Sequence, residues 1–214
     1  MARFDVADVG VLLITDGYDD TTVDRVQAAL SVLPPGFAAV QLRAKTLSAR
    51  DLVVAGRALR DVTRERALLV VNDRVDVAVA VWADAVHVPA NGLSVAAARR
   101  AGPSLLVGVS THSLDEVRAA AGADYVAFGP VWPTPSKAAY GAPVGVDTLR
   151  RAVTVAAMPV FALGGVDLSR LAEVAGAGAR PAGIRSCLGQ PSLAAVAAAA
   201  ADLYVACKNG PRIA

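Results

Sequence analysis

Short apolar runs alternate with amphipathic segments along the whole chain. The runs are bounded by turn-forming residues, which is typical of strands buried on both faces of a sheet. We predict strands at 11–15, 38–42, 68–71, 85–88, 105–109, 125–128, 159–163 and 182–188. Each is followed by a segment of helical periodicity, so the pattern predicts parallel strands joined by right-handed crossovers.

Eight strand-and-helix units predict the α/β class and, if the sheet closes, a (β/α)8 TIM barrel. Serine caps support two of the helices, because Ser48 precedes Asp51 by three residues and Ser113 precedes Glu116 by three. An open doubly wound sheet is the alternative. The first strand leads into Asp16 and Gly17 instead of a glycine-rich phosphate turn, which argues against a dinucleotide-binding fold.

Composition favours one large domain spanning residues 1–214, since no linker or low-complexity segment interrupts the pattern. Hydrophobic residues make up 55% of the chain and the net charge is +2. The basic residues are scattered over predicted helix faces, so we expect no nucleic-acid partner.

The termini and cysteines suggest a cytoplasmic protein with no membrane partner. Charged residues interrupt the N-terminus before any apolar run forms, so no signal peptide is expected. The alanine-rich segment 193–206 is too short to span a bilayer. Cys187 and Cys207 have neither metal-type spacing nor the pattern of a disulfide framework.

Polar residues gather where the predicted strands end. In a barrel these carboxyl ends form one face, so we expect a single site there. Gln41, Arg43 and Lys45 alternate along one strand end and therefore share a face. The full set is Gln41, Arg43, Lys45, Asn72, Asp73, Ser110, His112, Thr134, Ser136, Lys137, Gly164 and Gly165. Each also has a plain structural interpretation as a cap, turn or surface residue, but their convergence favours function.

The residue types in this set suit phosphorylated small molecules. Lys137 lies beside the hydroxyls of Thr134 and Ser136 in the long loop 131–145, a suitable lid and anion site, although a solvated surface loop is the alternative. Gly164 and Gly165 precede a helix and offer backbone N–H groups to a phosphate. We expect the start of the final helix, after Arg185 and Ser186, to supply the other half of the same phosphate site. Asp73 facing cations suggests a Mg²⁺-bridged pyrophosphate.

Six motifs, in this order along the chain, resemble the thiamine phosphate synthase/TenI-type family. They are QLRAK (41–45), VNDRVD (71–76), GVSTH (108–112), GADY (122–125), FGPVWPTPSK (128–137) and ALGGV (162–166). The resemblance implies a (β/α)8 barrel that joins hydroxymethylpyrimidine diphosphate to thiazole phosphate and releases pyrophosphate. It also implies roles for individual residues: Gln41, Arg43, Lys45, Asn72 and Lys137 hold the diphosphate substrate, Ser110 contacts the pyrimidine, Asp73 binds Mg²⁺, and Thr134, Ser136, Gly165 and the end of the last strand near Ser186 contact the thiazole phosphate.

Two departures from the family pattern bear on the metal and phosphate sites. Gly92 stands where the synthase pattern has an acidic second Mg²⁺ ligand, which weakens the expected metal site. Arg185, placed by our prediction in the last strand, replaces a small residue near the phosphate.

The departures keep other functions open. The tautomerase branch of the family shares the barrel, needs no metal and uses a histidine at the position of His112 to move a proton, a task suited to imidazole. A non-catalytic sensor of thiamine precursors is a third hypothesis. Retention of the diphosphate-binding set favours the synthase. A homodimer is a further hypothesis, because two-fold pairing of barrels is common.

Overall fold

The computed structural model describes residues 4–134, 142–183 and 185–209, and for Arg185, Ser186 and Asn209 it describes the backbone alone. Within these ranges the strands form one parallel sheet in chain order. A parallel bridge between Leu12 and Ala182 joins the first strand to the end of the last and closes the barrel. The strands are β1 Val11–Ile14, β2 Ala38–Leu42, β3 Ala67–Asn72, β4 Ala85–Val88, β5 Leu106–Thr111, β6 Tyr125–Phe128, β7 Val160–Ala162 and β8 Arg180–Pro181.

Helices surround this barrel and confirm the predicted (β/α)8 architecture. Ser48 and Ser113 cap their helices as expected, each accepting a hydrogen bond from the backbone N–H three residues on. The helices are α1 Thr22–Val32, α2 Ala49–Thr63, α3 Val75–Ala80, α4 Val95–Ala101, α5 Leu114–Ala119, α6 Gly145–Val155, α7 Leu171–Gly176, α8 Arg185–Leu188 and α9 Leu193–Asn209, with 3₁₀ turns at Val6–Asp8 and Leu168–Arg170.

Alternation along the strands divides the core into two layers. One set of side chains packs outward against the helices. The other set fills the lower part of the barrel interior, with Leu12, Leu68 and Phe161 among its buried members. Because successive strand residues point to opposite faces, both layers are apolar and the strands appear as continuous hydrophobic runs.

The base of the barrel is closed by the N-terminal 3₁₀ turn. Arg180 in β8 donates hydrogen bonds to the carbonyl oxygens of Val6, at 2.9 Å, and Ala7, at 2.7 Å. Its guanidinium carbon lies 5.8 Å from the ring centroid of Phe161 inside the barrel. Burial lowers the pKa of Arg180, and the nearby carboxylates of Asp8 and Asp5 oppose this effect.

The prediction for the last strand is wrong in position. Residues 182–188 were expected to form it, but β8 is Arg180–Pro181 and Arg185–Leu188 form one helical turn. Gly183 has φ of +67°, a left-handed conformation that ends the strand and turns the chain. Arg185 therefore begins α8 and does not lie in the last strand.

None of the described helices combines the length and apolar character needed to cross a membrane.

Candidate active site

A cavity of about 880 Å³ opens at the carboxyl ends of the barrel strands. This is the face where the sequence predicted the site, and residues from most of the strands reach it. The predicted site residues that line it are Gln41, Arg43, Lys45, Asn72, Asp73, Ser110, His112, Thr134, Gly164 and Gly165. These ten residues therefore lie together around one mouth, and their individual roles stay predictions.

Three predicted residues cannot be placed in the cavity. Ser136 and Lys137 lie outside the described residues, as does most of the centre of the loop 131–145. Ser186 lies in α8, and its side chain is likewise outside the described part of the chain. Their assignment to the site stays a prediction.

The floor of the cavity carries a buried amide pair. The Nε2 of Gln41 donates to the Oδ1 of Asn72 at 3.0 Å, across the β2–β3 pair. Gln41 is only 2% exposed. Its Oε1 atom is buried and has no hydrogen-bond donor among the described residues. A buried carbonyl oxygen without a donor is unfavourable, so this atom is suited to accept a hydrogen bond from a ligand.

Three cations line the same cavity as Asp73. Arg43, Lys45 and Arg74 line the same cavity, and their charges suit a phosphate-bearing ligand. Asp73 is exposed and has φ of +67°, while its N–H donates to the His87 carbonyl oxygen at 2.8 Å. This left-handed conformation directly after β3 is uncommon for a residue with a side chain, and it holds the carboxylate at the cavity.

Arg74 is itself held by an ion pair. Its guanidinium donates to both carboxylate oxygens of Asp76, at 2.9 and 2.5 Å. The hydrogen bond from Arg74 holds the pKa of Asp76 below its ordinary value. The ion pair with Asp76 therefore holds Arg74 in position on the cavity wall.

The turn after β4 explains the glycine at position 92. The N–H of Gly92 donates to the carbonyl oxygen of Pro89 at 2.9 Å, closing a tight turn. A Cβ atom at position 92 would lie 2.8 Å from the Cδ of Pro89 and 3.2 Å from its carbonyl oxygen. The turn would have to shift to admit an acidic side chain. Asn91 lines the cavity in this stretch instead.

The described residues contain no cluster of three or more His, Cys, Asp or Glu side chains arranged to hold a metal. Asp73 is a carboxylate at the cation-rich side of the cavity, and Asp16 is a second carboxylate on the wall. Mg²⁺ typically takes one or two protein carboxylates and completes its shell with phosphate oxygens and water. The residues present therefore fit a Mg²⁺ ion that arrives with a diphosphate, but not a closed protein cage.

The opposite side of the cavity is built from two loops that pack closely. Val131 N–H donates to the Leu163 carbonyl at 2.9 Å, and Trp132 N–H donates to the Gly164 carbonyl at 3.0 Å. Gly164 and Gly165 have φ of +91° and +70°. Their own N–H groups find no acceptor among the described residues, and both glycines line the cavity. Free N–H groups in such a loop are suited to bind an anion.

His112 begins the turn after β5 and is held at two points. Its N–H donates to Oε2 of Glu116 at 2.6 Å, within the capping arrangement that starts α5. Its ring Nδ1 is hydrogen-bonded to the carbonyl oxygen of Gly129. A carbonyl only accepts, so Nδ1 carries the hydrogen and Nε2 carries the lone pair of the neutral ring. His112 is thus arranged as a base at Nε2.

Sequence reasoning missed the residues behind Ser110. His87 in β4 is 3% exposed and places Nε2 2.9 Å from the Ser110 Oγ, and its Nδ1 lies 3.2 Å from the Tyr125 hydroxyl. The sequence analysis treated His87 and Tyr125 only as members of apolar strand runs. The register of the folded sheet reveals the role of His87: it pairs with Asn72 and Gly108, so it faces the barrel interior.

Comparison with known proteins agrees with this geometry. Residues 11–188 match the family described as thiamine monophosphate synthase, TMP-TENI. A thiamine-phosphate synthase of Methanospirillum hungatei is 36% identical over 203 residues, covering 92% of this chain and 98% of that protein. One of Moorella thermoacetica is 41% identical over 162 residues, covering 74% and 76%. The structure of the thiamine phosphate pyrophosphorylase of Pyrococcus furiosus superposes with a TM-score of 0.85 at 32% identity, covering 95% of this chain and 98% of that one. The chain belongs to the thiamine monophosphate synthase (TMP-TENI) family.

Proposed function

We propose that the protein is a thiamine-phosphate synthase, a transferase that joins hydroxymethylpyrimidine diphosphate to thiazole phosphate and releases pyrophosphate. The observation that carries this proposal is the buried Oε1 of Gln41, an acceptor without a donor among the described residues, in a cavity lined by cations. An aminopyrimidine diphosphate matches both features: its amino group donates to Gln41, and its diphosphate meets the cations.

The cationic side of the cavity supports departure of pyrophosphate. Arg43 and Lys45, joined by Lys137 from outside the described residues, hold the diphosphate together with Asn72. The C–O bond to the pyrimidine methylene breaks, and its electron pair leaves with pyrophosphate. Fixed cations stabilise the charge that develops on the leaving oxygens, so the step requires no protein nucleophile.

Asp73 and the diphosphate oxygens would hold Mg²⁺. A bound Mg²⁺ would neutralise part of the negative charge of the departing pyrophosphate. Because Gly92 supplies no second carboxylate, Arg43 and Lys45 would stabilise a larger part of the charge on the leaving pyrophosphate.

The glycine side of the cavity suits the thiazole phosphate. The N–H groups of Gly164 and Gly165, the hydroxyl of Thr134 and, by extension, Ser136 and Ser186 bind its phosphate. The thiazole nitrogen then lies across the cavity from the pyrimidine, which Ser110 contacts. Its lone pair forms the new C–N bond to the carbon that lost pyrophosphate, and holding both reactants together favours this capture over water.

The test supplies purified protein with both precursors, with and without Mg²⁺, and measures pyrophosphate release and thiamine phosphate by mass spectrometry. We expect Mg²⁺-dependent formation of both products. Gln41→Leu removes the buried acceptor and should weaken binding of the pyrimidine diphosphate by about tenfold or more. Gln27→Leu is the matched control, because Gln27 is exposed on α1 and distant from the cavity lining.

Two results would contradict the proposal. One is a folded protein that binds thiazole phosphate but forms no thiamine phosphate under any Mg²⁺ concentration. The other is an equal, small effect of the substitutions at Gln41 and Gln27 on pyrimidine diphosphate affinity, which would remove Gln41 from the binding site.

The second candidate is a thiazole tautomerase of the same family, and the geometry of His112 favours it. The Nδ1 hydrogen bond to Gly129 leaves Nε2 as the basic nitrogen of a residue that lines the cavity. Isomerisation of a thiazole phosphate without any pyrimidine substrate, abolished in His112→Ala, would establish this activity in place of or beside the synthase.

We further propose that the protein works in the cytoplasm and forms a homodimer. Both cysteines are free thiols in the structure, which suits a reducing compartment. Light scattering coupled to gel filtration measures the oligomeric state directly.

A further inference from the structure

Three side chains form a hydrogen-bonded row across the barrel interior beneath the cavity. The row runs from the Tyr125 hydroxyl to His87 Nδ1, at 3.2 Å, and from His87 Nε2 to Ser110 Oγ, at 2.9 Å. Tyr125 and His87 are 2% and 3% exposed. Ser110 is half-buried and lines the cavity. The row therefore connects the barrel interior to the binding site.

The hydrogen of the phenol sets the direction of the row. Within the described residues, the acceptor available to the Tyr125 hydroxyl is His87 Nδ1. If the imidazole donated from Nδ1 instead, the phenol hydrogen would be buried without an acceptor, at the cost of its desolvation. Burial raises the pKa of Tyr125, so the phenol keeps its hydrogen. Tyr125 is the donor and His87 Nδ1 the acceptor.

The tautomer of His87 determines whether the Ser110 hydroxyl can donate a hydrogen bond to a ligand. A neutral imidazole that accepts at Nδ1 carries its hydrogen on Nε2, so His87 donates to Ser110 Oγ. The hydroxyl hydrogen of Ser110 points elsewhere, and no acceptor for it exists among the described residues. Because Ser110 lines the cavity, this hydrogen is available to an acceptor atom of the bound molecule.

We propose that Tyr125 and His87 are positioning residues that hold the Ser110 hydroxyl as a hydrogen-bond donor to a ring nitrogen of the pyrimidine. Gln41 Oε1 supplies the matching acceptor for the amino group, so the cavity floor presents one donor and one acceptor to an aminopyrimidine edge. This inference rests on the proposed function, because the pyrimidine diphosphate is the ligand that it concerns.

The first test removes the phenol hydrogen. In Tyr125→Phe the Nδ1 of His87 loses its donor, the ring can change tautomer, and Ser110 can then donate to His87 in place of the ligand. We expect about tenfold weaker binding of the pyrimidine diphosphate by calorimetry, with unchanged binding of thiazole phosphate. Thr111→Val is the matched control, since it removes a different buried hydroxyl, one in β5 that is bonded to the Ala127 carbonyl.

The second test separates hydrogen direction from simple packing. In a Ser110→Ala background the hydroxyl that the row holds is absent, so a phenol that acts through this hydroxyl has nothing left to position. In that background Tyr125→Phe should change pyrimidine diphosphate affinity less than about twofold. An equal loss in the wild-type and Ser110→Ala backgrounds would show that the phenol does not act through the Ser110 hydroxyl and would overturn the proposal.

A third measurement needs no variant of the row. The chain has two histidines, and ¹⁵N NMR of the ring nitrogens distinguishes their tautomers. We expect the Nε2–H form at His87 and the Nδ1–H form at His112, with His112→Asn used to assign the signals. The Nδ1–H form at His87 would overturn the inference. Failure of the wild-type protein to bind the pyrimidine diphosphate would instead overturn the proposed function, with the NMR result unaffected.

Discussion

Gly165 shows how one residue can serve both the packing and the chemistry of the site. Its φ of +70° is left-handed, and a Cβ atom there would lie 2.7 Å from the Cβ of Trp132. The guanidinium of Arg170 donates to the Gly165 carbonyl and lies 5.2 Å from the Trp132 ring centroid. The loops after β6 and β7 therefore approach each other through this glycine.

Gly165→Ala is expected to weaken thiazole phosphate binding more than tenfold. The added methyl group meets Trp132, and the left-handed backbone costs about 1–2 kcal/mol for an L-residue. Calorimetric titration with thiazole phosphate checks this. Gly176→Ala is the control, because a Cβ atom at that helical position meets nothing within 4 Å. Equal affinities in the two variants would exclude the Gly165 loop from the phosphate site.

At this scale the sequence indicated which residue types face the cavity but not how their hydrogen bonds run. Gln41 and Asn72 were both expected in the site. Their mutual hydrogen bond, and the buried Oε1 of Gln41 that is left without a donor among the described residues, follow only from the packing of β2 beside β3. His87 was missed because a single histidine within an apolar run carries no local signal of its partners.

At the scale of elements, the start of α1 depends on a local carboxylate. Asp19 Oδ1 accepts hydrogen bonds from the Thr21 hydroxyl, the Thr21 N–H and the Thr22 hydroxyl, at 2.7, 2.9 and 3.1 Å. The Thr21 hydroxyl is the main cause that holds the pKa of Asp19 below its ordinary value, followed by the other two donors. The ionised carboxylate thus helps to begin the helix.

Asp19→Ala is expected to destabilise the protein by about 0.5–1 kcal/mol at neutral pH, a small effect because the side chain is exposed. A lowered folded-state pKa means that this stabilisation is present above the ordinary carboxyl pKa and is lost as the pH falls through the folded value. Urea denaturation from pH 7 to pH 3 should show the two proteins converging in acid. Asp20→Ala is the control, and a difference that persists unchanged at pH 3 would contradict the assignment.

The error in β8 also belongs to this scale. An apolar run such as 182–188 fits a buried strand or a buried helical turn, and periodicity over so few residues does not separate them. The chain turns at Gly183, where a left-handed φ is available, and α8 follows. The short strand Arg180–Pro181 is stabilised by pairing with β7, which no local pattern reveals.

At the scale of the whole molecule, Arg180 joins the first and last parts of the barrel. It bonds to carbonyl groups about 170 residues away in sequence, at Val6 and Ala7, and packs over Phe161 in the interior. The charged side chain gives the Val6 carbonyl a second donor, beside the Val9 N–H of the 3₁₀ turn, and also bonds to the Ala7 carbonyl. Arg180 therefore contributes to closing the base, together with the apolar packing of Phe4 and Val6 against the barrel interior.

Arg180→Met is expected to lower stability by about 2 kcal/mol, and the Tm by about 4–8 °C, because hydrogen bonds from a charged donor are lost. Differential scanning calorimetry measures the change. Arg150→Met is the control: Arg150 forms an exposed ion pair with Asp147 at 2.5 Å, and such pairs contribute little. A Tm for Arg180→Met equal to that of the control would contradict a role in closing the base.

The sequence by itself determined the order of strands and helices, the barrel class and the face that carries the site. These follow from local periodicity and from the rule that parallel strands bring their carboxyl ends together. Tertiary structure alone decided the orphaned acceptor of Gln41, the row from Tyr125 to Ser110 and the tight turn at Gly92. Hydrogen-bond direction and close approach depend on which atoms meet across strands, and residues far apart in the chain supply those atoms.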